Sequence, residues 1–100
     1  MRTGVVYILR CRDESYYTGV TNDLTKRLYE HETGIVKGYT SSRRPVSLIW
    51  NSDELDIQDA ILLEKRIKGW GRKKKEAFMR GNMQTLIGLS IAYRDRASST

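Results

Sequence analysis

The chain has 100 residues, of which 39% are apolar, 30% are charged and one is a proline, and its formal net charge is +6. This composition is typical of one globular domain and excludes a disordered chain. One cysteine and one histidine exclude an internal disulfide and a zinc site built from these residues. The apolar run Val5–Leu9 is too short for a signal-peptide core, and no run is long enough to span a membrane, so we expect a cytoplasmic protein without a membrane partner.

The first half of the chain predicts a β-hairpin followed by a helix. β-Branched and aromatic residues predict strands over Val5–Arg10 and Tyr16–Val20, separated by a short polar turn. Asn or Asp at 22–23 caps a helix over Leu24–Glu32, and Gly34 fits the position just past its end.

The second half predicts one more strand and further helices. Pro45 opens a strand over Val46–Trp50 after an irregular basic loop. Helices follow, beginning at Asp56 and covering Lys73–Arg80 and Met83–Ala92. These elements predict an α+β fold in which a small three-stranded antiparallel sheet is flanked by helices. We expect one domain over residues 1–93 and a flexible tail over 94–100.

Two polar side chains share the apolar face of the first helix. Leu24, Arg27, Leu28 and His31 follow one another at spacings of three and four residues, so they lie on one face. Since the leucines must face the core, Arg27 and His31 lie at the inner edge of the helix. A snorkelling arginine and a hydrogen-bonded boundary histidine explain the same pattern.

Glu64 interrupts the apolar stripe of the second helix. At about 100° per residue it falls between Ala60 and Ile61 and close to the line of Ile57. A carboxylate in that position is costly unless it is paired or binds a metal. A structural pair with Lys68, one turn later, and a metal ligand explain it equally well.

Glu64 also begins the segment that carries the positive charge. Residues 64–80 contain eight lysines and arginines against two glutamates, so they alone account for the net +6, and the rest of the chain is neutral. A localised positive surface favours a polyanion, nucleic acid first, although a solvated basic helix end explains the charge equally well.

The predicted hairpin adds two tyrosines on one side of the sheet. Tyr7 and Tyr17 suit either core aromatics with surface hydroxyls or members of a site, and Gly19 leaves space for a ligand or a backbone to approach that face. Together with the two inner polar residues of the first helix and Glu64, they provide a carboxylate, a guanidinium, phenols and an imidazole. These groups suit phosphodiester cleavage.

The same residues resemble a known family. Val5-Val6-Tyr7 and Tyr17-Thr18-Gly19, followed by Arg27, His31 and Glu64, resemble the paired motifs and site of the GIY-YIG nuclease superfamily. Residues 18–31, 43–46 and 68–75 are similar to its small stand-alone bacterial branch, the UPF0213 or YhbQ-like proteins. The resemblance covers roughly residues 3–92. Thr18 stands where the family motif has isoleucine.

The resemblance implies a role for each site residue. Tyr7 deprotonates or positions the attacking water, Tyr17 contacts the phosphate or water, and Arg27 stabilises phosphate charge with help from His31. Glu64 holds a single Mg²⁺ or Mn²⁺ ion. Tyr7 can act as the general base only if its pKa is lowered, and otherwise His31 is the better base.

The sequence thus predicts a divalent-metal-dependent endonuclease that acts on DNA in preference to RNA. We expect it to be structure-directed, with low sequence specificity, in repair or recombination, and the oligomeric state stays open. The alternative is a nucleic-acid-binding or adaptor protein that keeps the fold with little turnover. In both cases the predicted nucleic-acid contacts are Arg43, Arg44, Lys65, Lys68, Arg72, Lys73, Lys74 and Lys75.

Overall fold

Two antiparallel strands joined by a tight turn begin the fold in the computed structural model, which describes residues 2–81. The elements are β1 (Thr3–Arg10), β2 (Tyr16–Thr21), α1 (Leu24–Thr33), β3 (Ser47–Asn51), β4 (Leu55–Asp56), α2 (Ile57–Lys68) and α3 (Arg72–Met79). β1 is central, with β2 and β3 antiparallel on its two sides and β4 paired with its first residues. The predicted α+β fold with an antiparallel sheet and helices is confirmed, and β4 adds a short fourth strand.

The central strand forms much of the core. Val6, Tyr7, Ile8 and Leu9 have no exposed surface, because β1 is covered on both faces. α2 approaches the beginning of β1 at Gly4, where an added Cβ would lie 2.8 Å from the Ile57 side chain. Glycine at this position therefore allows the helix to pack closely on the sheet. Cys11, buried directly after β1, is the only cysteine of the chain.

Local chemistry fixes both ends of α1. The side chain of Asp23 accepts a hydrogen bond from the Lys26 backbone N–H, so Asp23 is the cap that the sequence placed at 22–23. Gly34 adopts φ 80°, a left-handed conformation that favours glycine, and its N–H donates to carbonyls of the last turn. Asp56 caps α2 in a similar way, since its carboxylate accepts from the Gln58 N–H at 3.1 Å.

The loop between α1 and β3 differs from its prediction. β3 begins at Ser47, one residue after the predicted start at Val46, so Pro45 lies in the loop and does not open the strand. The Arg44 side chain donates to the carbonyls of Ser41 and Glu32, at 3.2 Å each, and this holds the residue before Pro45 in the loop. Proline also has no N–H to donate to the strand ladder.

The chain divides into two compact units, residues 1–68 and 69–100. In the second unit Trp70 precedes α3 and Phe78 lies within it. The Trp70 ring packs edge-on against Phe78, with ring centroids 5.1 Å apart. The predicted helix over Met83–Ala92 and the predicted tail over 94–100 lie outside the described residues, and the domain limits of 1–93 stay a prediction. Across residues 2–81, each helix is too short or too polar to cross a bilayer.

Candidate active site

The β1–β2 hairpin places both tyrosines on one face. Tyr7 lies opposite Gly19, and Leu9 lies opposite Tyr17, so the two tyrosine rings project to the same side, with centroids 6.3 Å apart. A Cβ on Gly19 would lie 2.5 Å from the Tyr7 hydroxyl oxygen. The expectation that Gly19 leaves room for a ligand or another backbone is therefore wrong, because the Tyr7 ring itself fills that space.

α1 brings its histidine onto these rings. His31 has no exposed surface, and its Nε2 lies 2.9 Å from the Tyr7 hydroxyl oxygen. Its other nitrogen, Nδ1, lies 2.8 Å from Oγ1 of Thr40, and its ring meets the Tyr17 ring edge-on at 5.3 Å. His31 is thus hydrogen-bonded, as one interpretation expects, but it is fully buried and not at the boundary, and it is a neighbour of both tyrosines, as the other interpretation requires.

Arg27 lies one turn before His31 and borders the same cluster. Its guanidinium is near enough to the Tyr7 phenol to oppose the rise in that phenol's pKa, and its Nε donates to Glu30 Oε1 at 3.2 Å. The side chain is 36% exposed, so part of it still faces solvent. It also lines a groove of about 500 Å³ whose apolar wall includes Ile57 and Ile61. Arg27 therefore connects the buried tyrosine to the surface.

Glu64 is buried in α2, where the periodicity placed it. The residue is 8% exposed, and its Oε2 lies 2.6 Å from Nζ of Lys68. Its charge is near enough to Tyr7 to help raise the pKa of that phenol. Glu64 therefore forms the structural pair of one interpretation, and the metal ligand of the other interpretation stays a prediction.

The donor chemistry of this cluster fits a weakly held divalent cation. Within residues 2–81, no group of three or more histidine, cysteine or acidic side chains is close enough to form a complete metal cage. Mg²⁺ commonly uses one or two carboxylates, with waters and substrate phosphates as the remaining ligands. One carboxylate at Glu64 meets that requirement, and Lys68, whose side chain is 53% exposed, can move aside for a cation.

Burial shapes the proton chemistry of the Tyr7–His31 pair. Loss of water, with the neighbouring Tyr17 second, raises the pKa of Tyr7 to about 12 despite the nearby Arg27. Burial, reinforced by the charge of Arg27, lowers the pKa of His31 below its ordinary 6.5. At neutral pH Tyr7 therefore keeps its proton, and His31 is a neutral imidazole able to accept one.

Exposure separates the cluster into an inner and an outer part. Tyr7 and His31 have no exposed surface, whereas Tyr17, Arg27 and Lys68 reach solvent. A ligand arriving from solvent thus meets the outer residues first.

The predicted nucleic-acid contacts have several local environments. Arg43 pairs with Asp13 at 3.1 Å, and its guanidinium lies 3.9 Å above the centre of the Tyr39 ring. Arg44 is held by the carbonyls of its own loop and of α1, Lys65 is exposed, and Lys68 pairs with Glu64. Arg72, Lys73, Lys74 and Lys75 lie in α3 of the second unit, where Arg72 pairs with Glu76 and Lys74 lies over the Trp70 ring.

Two neighbours of the cluster have no counterpart in the sequence prediction. Thr40 is 1% exposed and bonds His31, and the Tyr39 ring stacks on Tyr17 at 6.3 Å with an angle of 22°. Both belong to an irregular loop, where hydrophobic periodicity carries no information on burial. A tyrosine and a threonine beside basic residues are the only signal there, and it is a weak one.

Comparison with known proteins shows which family the chain resembles. The GIY-YIG catalytic domain family matches residues 3–77. A UPF0213 protein of Bacillus pumilus is 44% identical over 73 residues, 73% of this chain and 74% of that protein. Another, of Oceanobacillus iheyensis, is 46% identical over 70 residues, which cover 70% and 81% of the two chains.

A solved structure gives the same result. The solution NMR structure of a UPF0213 protein from Bacillus halodurans has a TM-score of 0.53 and 33% identity, over 88% of this chain and 97% of that one. The resemblance drawn from the two tyrosine motifs is confirmed. The chain belongs to the GIY-YIG family, within its UPF0213 branch.

Proposed function

We propose that this protein is a divalent-metal-dependent endonuclease that hydrolyses phosphodiester bonds in DNA. The GIY-YIG family implies a nuclease-type domain with a nucleic-acid substrate. One observation carries the proposal for this chain: the hydrogen-bonded Tyr7–His31 pair lies beside a guanidinium, Arg27, and within the field of a buried carboxylate, Glu64. We place the activity in the cytoplasm, on branched or single-stranded DNA in repair or recombination, with low sequence specificity and with DNA preferred to RNA.

The outer residues receive the phosphate. Arg27 offers guanidinium N–H donors in a fixed planar arrangement that matches phosphate oxygens. Tyr17, half-buried beside it, contacts the phosphate or the attacking water through its hydroxyl. Donors placed where negative charge develops are a large part of catalysis at phosphorus.

The inner pair moves the proton. Tyr7 donates to Nε2 of His31, so the phenol proton passes to the imidazole as the phenol oxygen takes the proton of the attacking water. The hydroxide bonds to phosphorus, and the leaving oxygen departs with the electron pair of the broken P–O bond. Tyr7 and His31 thus serve as one base, which accounts for a phenol that ionises only at high pH.

Glu64 would hold the cation, Mg²⁺ or Mn²⁺. When bound, such an ion supplies Lewis-acid polarisation of the phosphodiester. Lys68 neutralises Glu64 at 2.6 Å and, once released, is a second cation for the phosphate.

The test is cleavage of branched and single-stranded DNA in Mg²⁺ or Mn²⁺ by the purified full chain. Glu64→Gln removes the charge and keeps the shape, and we expect it to lower the rate by at least roughly 10–100-fold, the loss typical of groups that support a metal site. Asp59→Asn, an exposed acid in the first turn of the same helix, should retain the rate. Equal cleavage by wild type and Glu64→Gln would show a contaminating nuclease and end the proposal.

A second candidate function has its own observation. Tyr7 and His31 are fully buried and Glu64 is paired with Lys68, an arrangement that suits a nucleic-acid-binding or adaptor protein with little turnover. Salt-sensitive binding of DNA or RNA without metal-dependent cleavage identifies this function. Absence of salt-sensitive binding to either nucleic acid excludes it and weakens the endonuclease proposal as well.

A further inference from the structure

Thr40 is the polar side chain that the α1–β3 loop buries against the cluster. It is 1% exposed, and its Oγ1 lies 2.8 Å from Nδ1 of a histidine with no exposed surface. The three groups Thr40, His31 and Tyr7 therefore form a continuous buried chain of hydrogen bonds, with distances of 2.8 and 2.9 Å.

The loop is anchored where it presents this hydroxyl. The Arg43 N–H donates to the Thr40 carbonyl at 3.0 Å, and the Arg43 carbonyl accepts from the Arg12 N–H at 2.9 Å. The Arg43 side chain also pairs with Asp13 in the β1–β2 turn and covers the Tyr39 ring. The position of Thr40 is thus tied to the hairpin that carries the tyrosines.

The positions of the protons in this chain of hydrogen bonds identify the donor of each bond. Neutral Tyr7 must place its own proton on an acceptor, and among the described residues that acceptor is Nε2 of His31. Nε2 is then unprotonated, so the ring proton of neutral His31 lies on Nδ1. Nδ1–H therefore donates to Oγ1 of Thr40.

We propose that Thr40 is a positioning residue whose hydroxyl holds His31 in the Nδ1–H tautomer, so that Nε2 faces the Tyr7 hydroxyl as a proton acceptor. The catalytic consequence rests on the proposed endonuclease function. The tautomer itself is a property of the folded chain and is measurable without any substrate.

Removing the hydroxyl has a directional effect. In Thr40→Val, Nδ1–H is buried without an acceptor, so the Nδ1–H tautomer loses the hydrogen bond that favours it, and the share of His31 with its ring proton on Nε2 increases although Tyr7 then loses the acceptor of its own proton. In that share of the molecules His31 has no lone pair facing Tyr7. Thr40→Ser keeps the hydroxyl and should retain the tautomer.

The tautomer is read by nitrogen NMR of histidine-labelled protein. His31 is the only histidine of the chain, so its two ring nitrogens give unambiguous signals above the pH at which the imidazole is protonated. We expect protonated Nδ1 in wild type and in Thr40→Ser, and an increased share of protonated Nε2 in Thr40→Val. Thr18→Val is the matched control, because it removes another buried threonine hydroxyl, one without a partner, and should leave the His31 spectrum unchanged.

Two results would overturn the proposal: protonated Nε2 in wild type, or a share of the Nδ1–H tautomer that is unchanged in Thr40→Val. The wild-type spectrum alone can overturn it, so the test holds even if Thr40→Val fails to fold.

Cleavage kinetics separate this proposal from the proposed function. In an active wild type, Thr40→Val should lower kcat by up to about 10²–10⁴-fold with KM nearly unchanged, the range for loss of general base catalysis, and Thr40→Ser should restore it. An unchanged kcat in a folded Thr40→Val protein refutes the positioning role. A wild type that never cleaves but shows the expected tautomers refutes the endonuclease function and leaves the tautomer assignment intact.

Discussion

Three buried threonine hydroxyls show that the effect of a buried polar atom on stability depends on whether it has a hydrogen-bond partner. Thr21 Oγ1 accepts from the Asp23 N–H at 3.1 Å, and Thr40 Oγ1 meets His31 at 2.8 Å. Thr18 is equally buried, at 3% exposure, but its Oγ1 has no hydrogen-bond partner. An unpaired buried hydroxyl costs about 1–3 kcal/mol in protein mutational data. The hydroxyls of Thr21 and Thr40 thus stabilise the fold, and that of Thr18 destabilises it.

Thr18→Val should therefore stabilise the protein. Valine keeps the branched shape opposite Ile8 and removes the unpaired hydroxyl, so the free energy of unfolding should rise by about 1 kcal/mol. Urea denaturation measures this as a higher midpoint at an unchanged m-value. The control, Thr21→Val, should lose about 1 kcal/mol, and a Thr18→Val protein less stable than wild type contradicts the prediction.

Stability should fall in mildly acidic solution because of His31. Burial holds the pKa of His31 below 6.5, so the unfolded chain takes up a proton at a pH where the folded chain does not. This loss begins as the pH falls through the ordinary value of 6.5 and ends below the folded-state pKa, with a slope of at most about 1.4 kcal/mol per pH unit. Urea unfolding at a series of pH values measures the slope. His31→Gln should show less pH dependence in that window, and identical slopes in the two proteins contradict the assignment.

At the scale of elements, the hairpin and α2 place the site for different reasons. The hairpin register sets Tyr7 over Gly19, so two strands must pair correctly before the site exists. α2 contributes Glu64 through its helical period alone, and Lys68 follows one turn later. Register errors would therefore remove the tyrosine while leaving the carboxylate in place.

Gly19→Ala tests that dependence. The new methyl group would meet the Tyr7 ring at 2.5–3.0 Å, which is closer than real contacts allow, so the ring must move off His31. We expect a loss of about 1–3 kcal/mol in unfolding free energy and a changed His31 NMR signal. Gly71→Ala, where an added Cβ meets nothing within 4 Å, is the control and should leave that signal in place.

The sequence predicts most of these elements because their signals are local. Asp23, Gly34 and the β-branched and aromatic residues of β1 carry the capping and strand chemistry within a few residues, and helical spacing places Glu64 on the buried side. The sequence does not predict β4, because a strand of two residues is too short to show a hydrophobic periodicity. The environments of Gly19 and Thr40 depend on partners far along the chain, which spacing cannot specify.

At the scale of the whole molecule, the positive charge lies on both sides of the boundary between the two units. Lys65 and Lys68 end the first unit, and Arg72–Lys75 open the helix of the second. Each contact between a cation of this kind and a phosphate of duplex DNA releases counterions. The plot of log affinity against log salt concentration then falls more steeply, by about 0.9 for each contact. The salt dependence of DNA affinity therefore measures the number of phosphate contacts.

The lysine run of α3 should account for part of that slope. In a variant with Gln at Lys73, Lys74 and Lys75, the slope should become shallower by about 0.9 for each lysine that contacts a phosphate. Titration of fluorescent duplex DNA at several salt concentrations measures it. The charge-matched control has Gln at exposed positions outside the segment, namely Arg10, Arg12 and Lys37. Equal changes in the two variants would mean that net charge, rather than the α3 run, governs binding.

The reactivity of Cys11 reports on the opening of the hairpin turn. Cys11 is 4% exposed, and burial also raises the pKa of its thiol, so the thiol reacts slowly with an added reagent. Its N–H and C=O also close the turn, with Ser15 at 2.8 Å and Glu14 at 2.9 Å. Labelling therefore requires the turn to open. Because the chain has no second cysteine, the labelling rate of the native protein measures how often this turn of the tyrosine-bearing hairpin opens, without any engineered probe.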